Sequence, residues 1–329
     1  MPPSETPFPF AMSQTVAKGI SQSAFTLGTV QLGMPYGAAN KTGQPDRAMA
    51  VQIVQEAIKA GITHLDCAQS YGTAEEVLGS ALKMFNHQPV IITKLDPAID
   101  LFDSSLPDTI ANQVVTLVER SVKRLGRDAL DVMLLHRWYH RTSHQGIIWK
   151  TLLALRDQGC IKQLGVSVQN TSEAFEAIQD SDITYLQLPC NLLDWRWEEA
   201  GIDKMIQQRE DMIVHARSTL LQGVLAAEAN CWPQIDNPPN GYPDNLIQPI
   251  HQLTDVLNRQ NLPDLCIAYV RSLPWIDSLV VGVETMEQLR QNIALFQQPS
   301  LSFEEVFKVR DALPKVPEQL LDPSQWHRT

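Results

Sequence analysis

The chain is 329 residues long, with 26 Lys and Arg against 37 Asp and Glu, a formal net charge of −11 and an apolar share of 44 %. This is the composition of a folded globular protein and excludes disorder, collagen and coiled coil. No apolar run approaches the ~20 residues that a bilayer requires, and the acidic balance argues against nucleic acid or an anionic membrane as partner.

Cys67, Cys160, Cys190, Cys231 and Cys266 are odd in number and scattered, with no CxxC pair and no Cys/His spacing of a zinc site. A chain this long buries a core without covalent staples, so reduced thiols, a cytoplasmic protein and no metal are expected. Met1 to Lys18 carries Pro2, Pro3, Pro7, Pro9 and Glu5 but no basic start and no long apolar stretch. It reads as a frayed extension rather than a signal peptide, with Met12 as an alternative start.

Phe25–Val30 is the first strand candidate, followed by a polar loop through Pro45. Asp46 caps a helix with Val51, Val54 and Ile58 on one face, closed by Gly61. Ile62–Asp66 is the second strand, and Thr73 with Glu76 forms a capping box before Val77 and Leu78. Val90–Lys94, continuous and β-branched, is the third. Val114, Leu117, Val118, Val122 and Leu125 define one face of a helix ended by Gly126. Asp131–Leu135, Ile161–Val168, Thr184–Leu188 and Met212–Ala216 are strands four to seven, with helices at Ile148–Leu155 and from Asn170–Thr171 between them. An irregular stretch, Asn230–Asn245, precedes helices around His251–Leu257 and Leu265–Leu273. The eighth strand is Leu279–Val281, followed by helices at Thr285–Ile293 and Phe303–Leu313.

Eight strands alternating with helices predict an α/β fold: a single-domain (β/α)8 TIM barrel over 24–300, with an N-terminal extension (1–23) and a C-terminal helix and tail (301–329). The competing doubly wound sheet announces itself with GxGxxG, and Gly28-Thr-Val-Gln-Leu-Gly33 has the wrong spacing. In a barrel the chemistry sits at the C-terminal strand ends. Asp66, Lys94 and His136 end consecutive strands, and Tyr71 lies just past the second. Each alone has a structural reading: turn cap, snorkelling lysine, core histidine, loop packing. Yet a Lys closing Val-Ile-Ile-Thr demands a buried anion, which Asp66 supplies. A cation near Tyr71 favours phenolate and draws its pKa from about 10 toward operating pH, which suits an acid or base.

His64-Leu-Asp-Cys-Ala-Gln-Ser-Tyr-Gly72 resembles the signature of the aldo-keto reductase family, with Ile92-Thr-Lys94 and Leu134-Leu-His136 matching its Lys and His segments in order. Gly165-Val-Ser167, Gln187-Leu-Pro-Cys-Asn191, Arg217-Ser218 with Leu221-Gln-Gly-Val, and Val281-Gly282 with Glu287-Gln288-Leu289 and Asn292 extend the likeness over about residues 24 to 296. The resemblance implies an NAD(P)H-dependent oxidoreductase that reduces an aldehyde, sugar carbonyl or ketone, with Asp66, Tyr71, Lys94 and His136 as the catalytic set and Tyr71 as general acid/base. A redox-sensing nucleotide-binding subunit with little turnover is the alternative, and a barrel hydrolase or metal enzyme fits poorly.

By the same resemblance the cofactor is held by Gly28, Thr29, Ser167, Gln187, Arg217, Ser218, Leu220, Gly223, Gly282, Glu284, Thr285, Gln288, Gln291 and Asn292. Ser167 and Gln187 take the nicotinamide carboxamide; Val168 stands where the family has Asn, with Asn170 or Asn191 as substitutes. Arg217 replaces an aromatic residue and lies over the nicotinamide or reaches a phosphate. The family prior leans to NADP(H), while Glu284 pulls toward NAD(H), with Thr285 and Arg290 available to a phosphate if Glu284 turns away. The expected partner is a small carbonyl or alcohol. Met34, Tyr36, Trp138 and Trp195, with Tyr139 and Trp197, form the substrate rim.

Overall fold

The computed structural model describes residues 14–17, 20–38, 40, 42–101 and 107–327. Ten strands run in order: β1 (Gln14–Ala17), β2 (Ile20–Ser23), β3 (Phe25–Gly28), β4 (His64–Asp66), β5 (Val90–Lys94), β6 (Leu130–Leu135), β7 (Ile161–Ser167), β8 (Tyr185–Pro189), β9 (Ile213–Arg217) and β10 (Ser278–Gly282). β3 to β10 pair in parallel with their neighbours, and β10 returns to pair with β3, closing an eight-stranded barrel. Helices join consecutive barrel strands and cover the outside, as parallel strands buried on both faces require.

The frayed extension is partly corrected: β1 and β2 form an antiparallel hairpin, pairing Gln14 with Ser23 through Ala17 with Ile20. Met12 lies outside the described residues. The first barrel strand stops at Gly28 instead of Val30 because the Thr29 N–H bonds to Asp66 O and Thr29 O accepts from Leu32, bending the chain into a helical turn over Val30–Gly33.

Asp46 caps its helix as expected, accepting from the Met49 N–H at 2.9 Å, and Gly61 follows that helix at φ +90°. The Thr73/Glu76 capping box does not form. Thr73 Oγ1 and N–H turn to Gly33 O, and Glu76 pairs with Arg124 at 2.9 Å, so tertiary partners displace the local cap. A true capping box stands at Ser302/Glu305, opening the helix Phe303–Ala312.

Apolar side chains sort into two packed groups. The larger lies between strands and helices; the smaller, Ile92, Val132, Leu134, Tyr185 and Ile213, fills the barrel interior. Because successive side chains on a strand point to opposite faces, His64 and Asp66 both point inward from β4 while Leu65 packs outward. Polar groups therefore enter the barrel at both ends, above and below the apolar plug.

Candidate active site

Asp66 (3 % exposed) and Lys94 (1 %) meet inside the mouth of the barrel. Lys94 Nζ donates to both Asp66 carboxylate oxygens and to Cys67 O, each at 2.8 Å, and lies 3.3 Å from the Tyr71 hydroxyl. Burial disfavours the ammonium, but Asp66, with Tyr71 and Cys67 beside it, more than offsets this and the Lys94 pKa is raised above its ordinary value. Gln187 Nε2 donates to Asp66 Oδ1 at 2.7 Å, so three hydrogen bonds from two donor atoms answer one carboxylate.

Tyr71 departs from the expected titration. Burial pushes its pKa above 10, and the Lys94 charge only partly opposes this. The hydroxyl is therefore held as an acid rather than a phenolate. His136 Nδ1 lies 3.4 Å from Ser70 Oγ, and its ring stands edge-on to Tyr71 at 5.9 Å between centroids. Burial, with Lys94, Arg217 and Arg137 nearby, pulls the His136 pKa to about 3. The imidazole is thus held neutral at ordinary pH.

The loop bearing Tyr71 is tied down from two sides. Gln69 Nε2 donates to Leu117 O and Ser121 Oγ at 2.8 Å, while its Oε1 accepts from the Asp96 N–H at 2.9 Å. Gly33 allows the opposite wall to close in: a Cβ there would lie 2.0 Å from Tyr71 O. Neither residue was singled out in the sequence, because their partners are up to 52 positions away.

A cavity of about 650 Å³ runs from these groups to the helix Met286–Gln297. Gly28, Thr29, Tyr36, Asp66, Tyr71, Gln187, Arg217, Ser218, Leu220, Gly223, Gly282, Glu284, Gln288, Gln291 and Asn292 all line it. It also takes in Gln222 of the Leu221-Gln-Gly-Val segment, and Gln31, Asn40, Thr219 and Glu228, which no motif marks. Lys94, His136, Ser167, Thr285 and Met34 stand outside the lining. Trp138 donates to Glu176 Oε2 at 2.8 Å and Trp195 to Val316 O at 3.1 Å. Tyr139 bonds Asp100, and Trp197 is fully buried against Asp194. Of the expected aromatic rim only Tyr36 faces the cavity, its hydroxyl accepting from Gln222 at 3.3 Å.

Other expectations need correction. Asn170 is committed to capping, accepting from the Glu173 N–H, whereas Asn191 Nδ2 has no partner among the described residues. Gln187 has its amide N–H on Asp66, leaving its oxygen for a ligand. Thr285 Oγ1 accepts from the Gln288 N–H at 3.1 Å, and Arg290 is exposed and off the cavity. Gln288 wraps back onto Glu284, accepting from its N–H at 2.7 Å and donating to its carboxylate at 3.1 Å. Glu284 thus stays in the cavity wall, with Thr42 Oγ1 also 3.5 Å away.

The residues present suit an extended dinucleotide. Gln31 Oε1 and Thr219 Oγ1 are buried in the lining without partners among the described residues, a state native proteins rarely leave unanswered. A Cβ at Gly282 would lie 2.2 Å from Gln31, so that rim must stay bare backbone. After β9 the chain takes positive φ at Ser218, Leu221, Gln222 and Gly223. Non-glycine residues there cost about 1–3 kcal/mol each and cluster at ligand clamps.

The sequence model of the aldo/keto reductase family matches residues 24–313. The chain belongs to that family. It is accordingly an NAD(P)-dependent oxidoreductase built on a (β/α)8 barrel. Among its aldo-keto reductase relatives, an uncharacterized oxidoreductase of Bacillus subtilis, YqkF, is 26 % identical over 273 residues, 79 % of this chain and 86 % of that protein. The NADH-specific methylglyoxal reductase of Escherichia coli is 24 % identical over 308 residues, covering 84 % and 90 %. Among solved structures, the holo form of an aldo-keto reductase from Bacillus halodurans superimposes with a TM-score of 0.73 at 21 % identity, covering 94 % of this chain and all of that one. Among the described residues no helix is long and apolar enough to cross a membrane, and no group of three or more His, Cys, Asp or Glu is arranged to hold a metal.

Proposed function

We propose that this protein reduces a small aldehyde, sugar carbonyl or ketone to the alcohol, with Tyr71 as the proton donor and NADH as the preferred reductant. The observation that carries the reading is the Tyr71 hydroxyl 3.3 Å from an ammonium that Asp66 keeps charged, at the edge of an elongated cavity. When bound, the dihydronicotinamide supplies the hydride, which no side chain can donate. Tyr71 gives its proton to the carbonyl oxygen as negative charge develops there, and Lys94 stabilises the phenolate left behind. His136, neutral, accepts from Ser70 at Nδ1 and donates its Nε2–H to the same oxygen. The oxygen of Gln187, with the Ser167 hydroxyl behind it, would hold the carboxamide, the loop Ser218–Gly223 would hold the pyrophosphate, and Gln291 and Asn292 would hold the adenosine.

The choice of NADH departs from the lean toward NADP(H) in the sequence. Among the described residues Arg217 is the only cation lining the cavity, and it sits at the Tyr71 end; the helix end presents the Glu284 carboxylate instead. A carboxylate suits a ribose hydroxyl and repels a 2′-phosphate. Relatives named as reductases and dehydrogenases favour turnover over a purely sensing role.

Tyr71→Phe is the test. Turnover is expected to fall by about 10³ while NADH titration, followed by fluorescence, gives an affinity within about twofold of wild type. A variant that keeps its turnover would refute the role given to Tyr71.

A further inference from the structure

Arg217 ends β9 and lines the cavity at the Tyr71 end. Its guanidinium reaches across the end of β8 to neutral acceptors at and just past the end of β7: Ser167 Oγ at 3.4 Å from Nε, and Val168 O at 3.1 Å and Gln169 Oε1 at 2.7 Å from Nη2. Among the described residues it makes no ion pair, and Asp66 is committed to Lys94 and Gln187. Burial weakens its hold on the proton, but an arginine stays charged in a protein. With Tyr71 protonated and His136 neutral, the groups at this end of the cavity comprise one carboxylate, one ammonium and one half-buried guanidinium, a net charge of one positive.

A hydride donor used here must bring its carbon to about 3–3.5 Å from a carbonyl whose oxygen meets the Tyr71 hydroxyl. A ring so held would lie at the end of the cavity that Tyr71 and Arg217 both line. The reduced ring is neutral and the oxidised ring is a cation. Building on the function proposed above, we infer that Arg217 makes the site discriminate between the two redox forms of the nicotinamide, holding the reduced form more tightly and biasing the enzyme toward carbonyl reduction. The effect is on loading and release. A site exposed to both forms fills with the reduced one, and the oxidised one leaves readily, at some expense of driving force for the transfer itself. The overall equilibrium, set by the free reactants and products, is untouched.

The test measures dissociation constants for ADP-ribose, NAD⁺ and NADH (or their 2′-phosphates, if those bind better) by calorimetry at one ionic strength. Wild type is expected to hold NADH on the order of tenfold more tightly than NAD⁺. That factor is worth about 1.4 kcal/mol, well within what two like charges a few ångströms apart exert at an effective dielectric near 20. Arg217→Gln should bring the two affinities together by about that factor, mainly by tightening NAD⁺, while Arg217→Lys keeps the gap. An unchanged ratio in Arg217→Gln would overturn the inference and leave the function standing. Wild type alone provides a second arm: if the oxidised ring adds as much affinity to ADP-ribose as the reduced ring does, Arg217 does not discriminate. If none of the three ligands binds, the proposed function falls together with this inference.

Discussion

β4 is three residues long and serves both ends of the barrel: His64 points into its floor and Asp66 into its mouth. Both side chains are buried, yet their chemistry is opposite. In the mouth, Asp66 is charged and answered by Lys94 and Gln187. In the floor, His64 bonds only to Thr63 Oγ1 through Nδ1 at 2.9 Å, and its Nε2 has no partner among the described residues. It stands edge-on to His215 at 5.6 Å, and His215 in turn meets Tyr185 at 5.7 Å and Gln22 Oε1 at 3.3 Å. Burial lowers the His64 pKa to about 4, with Asp131 opposing, and raises that of Tyr185. The lesson is that depth alone does not decide charge state. A buried group stays ionised where a fixed counter-charge meets it, and goes neutral where only neutral polar groups do.

The largest test of that contrast removes the counter-charge. Lys94→Met leaves Asp66 buried and unpaired, so stability in urea unfolding should drop by about 3–5 kcal/mol and turnover by about 10³. Adding Asp66→Asn should recover most of the stability and none of the turnover; a double variant no more stable than the single one would mean that the pair is not what Lys94 contributes.

Acid tests the floor. The His64 pKa is lower folded than unfolded, so the neutral form is the one the fold prefers. Its contribution is complete above about pH 6.5 and is lost as pH falls toward 4. On the order of 3 kcal/mol should vanish across that window, read as a falling urea midpoint. His64→Gln should reduce the slope to what His136 and His140, also lowered, supply, and an equally steep slope in that variant would place the acid sensitivity away from the floor.

The smallest effect belongs to the far wall of the cavity, where Glu284 is held by Gln288 without a buried counter-cation among the described residues. Glu284→Ser should raise the NADPH/NADH affinity ratio by about tenfold at unchanged stability. A ratio that stays put would remove Glu284 from the 2′-position.

Much of this was open to reading in one dimension. Strand spacing pointed to the barrel, and Asp66, Lys94 and Tyr71 meet because their strand-end positions are neighbours in a closed sheet. What the reading missed has long-range causes. Tyr71 looked like a group with a lowered pKa because Lys94 is close, but burial outweighs the charge. The aromatic rim looked plausible by composition, yet Trp138, Trp195 and Trp197 each find a hydrogen-bond acceptor away from the cavity.

The order of residues along the chain, then, determines the barrel and which side chains stand at its strand ends, because a period of two and a helix between strands leave few other folds. Which of those side chains are charged, which face the cavity and which are committed to a neighbour was decided by tertiary structure alone. Glu284 is the simplest case: its orientation depends on Thr42, 242 positions away, as well as on Gln288 one helical turn on. Desolvation and hydrogen-bond partnership depend on distance in space, and no local pattern encodes them.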